Sequence, residues 1–326
     1  MVDRSGGTPQ PMDKSLELAV VTGRPSIDAS AGRAGRVGGA NMDQAAMLLD
    51  SLVARHAGIH PTALVAAGAQ IAADAEIGPW CTVGPDVVLK SGVRLISHVV
   101  VDGHTEIGEG AVIYPFCTVG MAPQDLKYRG EPTETVIGAR TQLREHCTVH
   151  RGTVTGTGVT RVGSDCLLMA VVHVAHDCAL GNGVIVANNV VMGGHVTIGD
   201  NAVIGGASAL HQFVRIGRGA MVGGASGVEA DVVPFSTVLG NRAYLSGLNL
   251  VGLKRRGVDR AGLHRVRHAF RTLFVDGEGV FADRLAQVRV AAAEDSYVAE
   301  MLAFVEAPSK RGLIRHTAKR VEDEVE

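Results

Sequence analysis

The chain has 326 residues, 42 of them glycine and only 4% aromatic, a composition that does not suit an ordinary layered core and points to something repetitive. Lysine plus arginine number 31 against 33 aspartate plus glutamate, so the overall charge gives no reason to expect nucleic acid or a membrane surface as a partner. No apolar run reaches the roughly 18 residues of a spanning helix, and the N-terminus lacks a basic patch followed by a hydrophobic stretch, so a cytoplasmic location without a membrane span is expected.

Residues 1 to 41 are rich in Gly, Ala, Ser and Pro, and the stretch DQAAMLLDSLVARHAG after Met42 is weakly amphipathic. Residues 1–57 are read as a flexible N-terminal extension with no assigned function.

From Ile59 a period of six takes over. Ten hexads, from IHPTAL to IYPFCT, each open with Ile, Val or Leu. The register resumes as IGARTQ and LREHCT, and twelve more hexads run from VGSDCL at Val162 to VEADVV near Pro234. Neither a heptad nor a two-residue alternation places an aliphatic residue at every sixth position, whereas short strands joined by tight turns do. Three hexads make one triangular coil, so residue i stacks on i+18. The five cysteines, Cys81, Cys117, Cys147, Cys166 and Cys178, all take the fifth place of a hexad and are expected to be small core fillers, with no CxxC pair for a disulfide or a zinc site. The solenoid is expected over residues 58–240. Two insertions interrupt it, at 120–136, which keeps the register, and at 150–161, which shifts it by one residue. Loops leaving a rigid coil are where binding residues are usually mounted, and Asp125, Lys127 and Tyr128 in the first support a functional reading.

The densest chemistry is HVAHD, which supplies His173, His176 and Asp177, with His195 and His211 further on. His195 lies 19 residues beyond His176 and His211 lies 35 beyond it, each within one residue of a whole number of coils. All four histidines are therefore expected on one edge. An imidazole beside a carboxylate suits acid/base work near neutral pH. Gly194, 18 residues beyond His176, is placed to offer an N–H to a tetrahedral oxyanion. No GxSxG motif provides a serine nucleophile. Metal ligation by imidazoles on adjacent coils is the rival for the same residues.

Past Gly257 the glycine density falls and helical spacing appears. Leu263, Val266, Phe270, Leu273 and Phe274 form one stripe, and Leu285, Val288, Val298, Leu302 and Val305 suggest further helices. Residues 241–326 are expected to form a C-terminal helical domain capping the coil. Seven basic residues between Lys254 and Arg271 face the single acid Asp259, either as a solvated face or as a docking surface for an acidic partner or phosphates.

The segments SHVVVDGHTEIG, QDLKYRGEPT, VHRGTV, HVAHDC, ALHQF, GLKRRG and RGLIRH, spread over residues 59–316, resemble the UDP-N-acetylglucosamine O-acyltransferase family of the hexapeptide-repeat acyltransferases. The resemblance implies a left-handed parallel β-helix and transfer of a 3-hydroxyacyl chain from acyl carrier protein to the glucosamine 3-hydroxyl of UDP-N-acetylglucosamine, the first step of lipid A biosynthesis, without a cofactor. It implies His176 as general base, Asp177 as its orienting partner and the Gly194 N–H as oxyanion donor. His173, His195, His211 and Gln212 would line the sugar and acyl pocket, and Asp125 and Lys127 would reach substrate from a neighbouring subunit. Asn249, Arg255 and Arg256 would hold the nucleotide. Gly224 would gauge acyl length, its missing side chain leaving room for a long chain. Val251 stands where the family often has an acidic residue and Arg242 where a histidine is common. The resemblance also implies a homotrimer with its sites between subunits. The related N-acyltransferase is the nearest rival, though it needs a folded uridine-binding domain ahead of the coil. A metal-dependent β-helix hydratase is the more distant one.

Overall fold

The structure, a computed structural model, describes residues 58–276 and 279–316. The extension expected over residues 1–57 lies outside the described residues. From Gly58 the hexads wind into a parallel β-helix with three flat faces, sheets of nine, eight and ten strands in which each strand up to the last coil pairs with the third one after it. Leu64 pairs with Thr82 and Glu76 with Arg94, the offset of 18 that the period implies. Across the first insertion the offset is 30, as in Thr118 with Thr148, and across the second it is 25, as in Thr148 with His173. Both loops are thus extruded without breaking the ladders.

The fold closes because every sixth residue is buried. Ile77, Leu95, Ile113, Leu143, Leu168, Val186, Ile204 and Val222 are all inside, in vertical stacks that bury apolar surface between adjacent coils. All five cysteines are buried and free, as their place in the hexad implies. The tight corners require left-handed backbone, and among the described residues fifteen that are not glycine adopt it, Asp177 (φ 59°), His195 (φ 62°) and Phe213 (φ 68°) included. Those three share one corner in successive coils.

The sheet runs past residue 240. Ser236–Leu239 pairs antiparallel with Tyr244–Leu248, and Leu313 and His316 bridge back to Asp231 and Leu245. Helix α1 (Leu250–Arg255) follows, capped by the Asn249 side chain. Helices α2 (Arg260–Phe274), α3 (Phe281–Ala292) and α4 (Ser296–Glu306) pack as a cap. Val266, Phe270, Leu273, Val288, Val298 and Leu302 are buried, while Leu263, Phe274, Leu285 and Val305 pack at its margin. Asp295 caps α4 and accepts from Arg265, and Arg218 on the coil pairs with Glu300 on α4. Within the basic run, Arg265 and Arg271 are therefore spent on Asp295 and Asp276.

Candidate active site

The corner that carries Asp177 opens into a cavity of about 840 Å³. Its walls are the first loop (Gln124, Asp125, Leu126, Lys127), the tip of the second loop (Thr155, Gly156, Thr157), the corner residues His176, His195, Gln212 and Phe213, and Lys310 from the C-terminal segment.

At its base, His176 Nδ1 lies 2.8 Å from Asp177 Oδ2. The Asp177 side chain is fully buried, and the second insertion is folded around it. Its Oδ1 accepts from the backbone N–H groups of Thr153, Thr157 and Gly158 at 3.1, 2.8 and 3.1 Å, and its Oδ2 accepts from the Thr153 hydroxyl at 2.6 Å. A Cβ on Gly156 would stand 2.3 Å from the carboxyl carbon, so glycine is required there. Burial by itself would raise the Asp177 pKa, and the donors from Thr153, His176 and Thr157 outweigh it and hold the carboxyl below its ordinary value. The ionised carboxylate fixes His176 through Nδ1, leaving Nε2, which bonds no described group, turned to chemistry.

Gly194 is the register neighbour of His176: a Cβ added to it would meet the imidazole at Cε1, 2.5 Å away. Gly193 and His195 spend their N–H groups on Leu210 and His176 carbonyls, while the Gly194 N–H donates to no described group. His195 meets His176 edge-on at 5.0 Å and stacks on Phe213 at 4.4 Å. Burial is the main influence on His195 and lowers its pKa, with His176 and Lys310 adding to it against the pull of Asp177 and Asp125.

The four histidines do not all gather at this corner. His173 sits one strand earlier, its Nδ1 2.7 Å from Thr148 Oγ1 and its ring edge-on to buried His150 at 4.9 Å. His211 lies outside the cavity lining, its Nδ1 directed to the Gln212 carbonyl at 3.2 Å. His173 lies on the strand that leads into the corner, three residues before His176, and His211 precedes by one residue Gln212, which holds the register position in the cavity. Asp125 and Lys127 line the cavity of their own chain, because the loop leaves the coil beside the corner and folds back over it. Asn249, Arg255, Arg256 and Gly224 do not reach this cavity. Asn249 donates to the Gly219 carbonyl, Arg256 to that of Asn201, Arg255 is exposed, and Gly224 faces Gly206.

Sequence reasoning missed Thr153, Thr157, Gly156 and Gly158, although the alternation of threonine and glycine in GTVTGTG is what a carboxylate nest of backbone N–H groups needs. Phe213 and Lys310 carried no local signal.

His176, Asp177 and His195 offer ligand atoms within 4.8 Å of one another. Ligands at about 2.1 Å around a tetrahedral zinc stand roughly 3.3 Å apart. The 2.8 Å between Nδ1 and Oδ2 is instead a hydrogen bond, and Asp177 is already saturated by the loop, so this set fits an oriented imidazole rather than a metal.

A family model described as UDP-N-acetylglucosamine O-acyltransferase, domain 2, matches residues 231–314, and the bacterial transferase hexapeptide model matches residues 160–194. The acyl-carrier-protein-dependent UDP-N-acetylglucosamine O-acyltransferase of Azorhizobium caulinodans is 52% identical over 78% of this chain and 94% of its own length. That of Caulobacter vibrioides is 50% identical over 78% and 97%. The solved UDP-N-acetylglucosamine O-acyltransferase of Moraxella catarrhalis superposes with a TM-score of 0.77 at 40% identity, covering 79% of this chain and 99% of that one. These neighbours make the β-helix left-handed.

Proposed function

The chain belongs to the UDP-N-acetylglucosamine O-acyltransferase family, moving an acyl group from acyl carrier protein to UDP-N-acetylglucosamine, and on that premise we propose that His176 is the general base of the transfer. The observation that carries this is the pairing of His176 Nδ1 with a buried, ionised Asp177 at 2.8 Å, which leaves Nε2 as the accepting nitrogen in the cavity. Nε2 takes the proton of the sugar 3-hydroxyl as the oxygen attacks the thioester carbonyl. Asp177 stabilises the imidazolium that forms. The Gly194 N–H supports the oxyanion of the tetrahedral intermediate. Collapse expels the thiolate, which takes from the imidazolium the proton that came from the sugar hydroxyl, so the base is restored. Gln212, His195, Asp125 and Lys127 stand where the sugar and thioester meet this nitrogen.

The active assembly in this reading is a trimer. The positions expected to hold the nucleotide and gauge the chain, Asn249, Arg255, Arg256 and Gly224, lie away from the cavity in their own subunit, which supports their delivery by a neighbour. The outward face of the nine-stranded sheet also exposes Leu64 and Val191, and the loop tip exposes Leu126 at 94%. The donor in this reading is a long 3-hydroxyacyl chain, because Gly224 leaves its groove open. Among the described residues no helix is long and apolar enough to cross a membrane.

The test is a mass-spectrometric assay of the purified protein with UDP-N-acetylglucosamine and a length series of 3-hydroxyacyl carrier proteins, beside His176→Ala. Acylated sugar nucleotide from the wild type alone establishes reaction, base and chain length together. Full activity of the variant would remove His176 from the mechanism, and product only from a 3-amino sugar nucleotide would favour the N-acyltransferase.

A further inference from the structure

The C-terminal segment Ser309–His316 reaches the active cavity through Lys310 and lines a second, of about 410 Å³, through Arg311 to Arg315. Lys310 Nζ stands 4.1 Å from the centre of the Phe213 ring, which stacks on His195, so the active cavity has a fixed cation at its rim. Arg242, Arg311 and Arg315 line the second cavity, and Glu229 is the one acid there.

These arginines contrast with those that brace the coil and its cap. Arg94, Arg140, Arg144, Arg215, Arg218 and Arg265 each pair with a carboxylate within 3.0 Å. Arg242, Arg311 and Arg315 pair with none among the described residues, and Arg311 gives only its Nε, to the Glu229 carbonyl at 2.9 Å. The segment is held rigidly for a surface strand. Ser309 Oγ accepts from the N–H groups of Arg311 and Gly312, Asp231 exchanges backbone bonds with Gly312 and Ile314, and Gly312 takes a left-handed turn (φ 68°). Three guanidiniums around one cavity, with Arg311 held through its Nε and none ion-paired among the described residues, form a site for an oxyanion, and phosphate suits their planar forks.

Consecutive residues connect this site to the reaction centre. An acyl carrier protein presents its chain on a phosphopantetheine arm, with the thioester at the tip and a phosphodiester at the root. We propose that Arg242, Arg311 and Arg315 bind that phosphodiester while the arm passes Lys310 to bring the thioester to His176. This rests on the acyl-carrier-dependent reaction above.

The experiment compares 3-hydroxyacyl-4′-phosphopantetheine with the same donor lacking its phosphate, at saturating UDP-N-acetylglucosamine, for wild type, Lys310→Ala and Arg242→Ala/Arg315→Ala. The double variant is expected to raise the KM for the phosphorylated donor about tenfold with little change in kcat, and to leave the dephosphorylated donor unaffected. Equal losses with both donors, no loss, or a raised KM for the sugar nucleotide instead would overturn the proposal, the last assigning the arginines to the diphosphate. Calorimetric titration with 4′-phosphopantetheine reads the subsite without turnover. Tight binding by wild type and weak binding by the double variant support it even if no acyl transfer is seen, whereas equal binding refutes it while leaving the parent reaction standing.

Discussion

Gly194 lies over the His176 imidazole, so that a Cβ added to it would stand 2.5 Å from Cε1 and 2.6 Å from Nε2. Its backbone is not left-handed, so alanine is allowed there conformationally and acts only by displacing the ring. Gly194→Ala is expected to fold with an unchanged circular dichroism spectrum and to lower kcat by at least about tenfold. A variant as active as the wild type would show that the ring has room to move.

Asp177→Asn replaces an acceptor of three backbone N–H groups, the Thr153 and Thr157 hydroxyls and His176 with a group that must itself donate. Its amide NH2 would oppose either the Thr157 and Gly158 N–H groups or the Thr153 hydroxyl and His176. A kcat lower by about 10²- to 10⁴-fold is expected, together with a loss of roughly 1–3 kcal/mol from the unpaired donors. Single-turnover rates and denaturant unfolding separate the two effects.

Thr153→Val keeps the shape of a side chain that is 3% exposed and removes the 2.6 Å bond to Asp177 together with a longer 3.3 Å contact to the Thr155 hydroxyl. The buried carboxylate loses one of its charge-assisted bonds, a loss of about 1.5–3 kcal/mol. Activity is expected to fall less than in Asp177→Asn, because His176 keeps its partner; a larger fall would mean that the loop itself touches substrate.

His150 is buried, its Nδ1 bonds no described group, and burial, with the imidazoles of His173 and His176, pushes its pKa down to about 4. In the unfolded chain it titrates near about 6.5, so between those values the unfolded state binds the proton and the folded state does not. The stability this group contributes is therefore complete above pH 6.5 and declines as pH falls toward 4, on the order of 2 kcal/mol between pH 7 and pH 5. Urea unfolding at the two pH values should show a smaller acid loss in His150→Leu than in the wild type. Equal losses would place the acid sensitivity elsewhere.

The geometry of His176, Asp177 and His195 also predicts indifference to chelators. Dialysis against EDTA should leave the rate unchanged and release no stoichiometric zinc. A rate lost to EDTA and restored by zinc would turn the same three residues into ligands.

Much of this was legible in the chain because a hexad repeat is a local code. An aliphatic residue every six positions, cysteine at the fifth place and a register of 18 suffice to build the coil. They also bring Gly194 over His176 and Gln212 over Gly194, since stacking distance in a solenoid is simple arithmetic. The same arithmetic does not fix which way a side chain points: His173 and His211 were counted with His176, yet His173 lies on the strand before the corner and His211 one residue before Gln212, both outside the cavity lining.

What the sequence by itself determined was the periodic scaffold and the placing of His176 beside Asp177 and under Gly194, because those depend on neighbours in the chain or one coil away in register. Only the tertiary structure decided what surrounds them. The Thr153–Gly158 nest depends on how an insertion closes on itself, the position of Asp125 and Lys127 on which way a loop folds, and Lys310 and Arg311 on where the chain returns after four helices. No repeat specifies those paths, which are set by hydrogen bonds and packing between segments far apart in the chain.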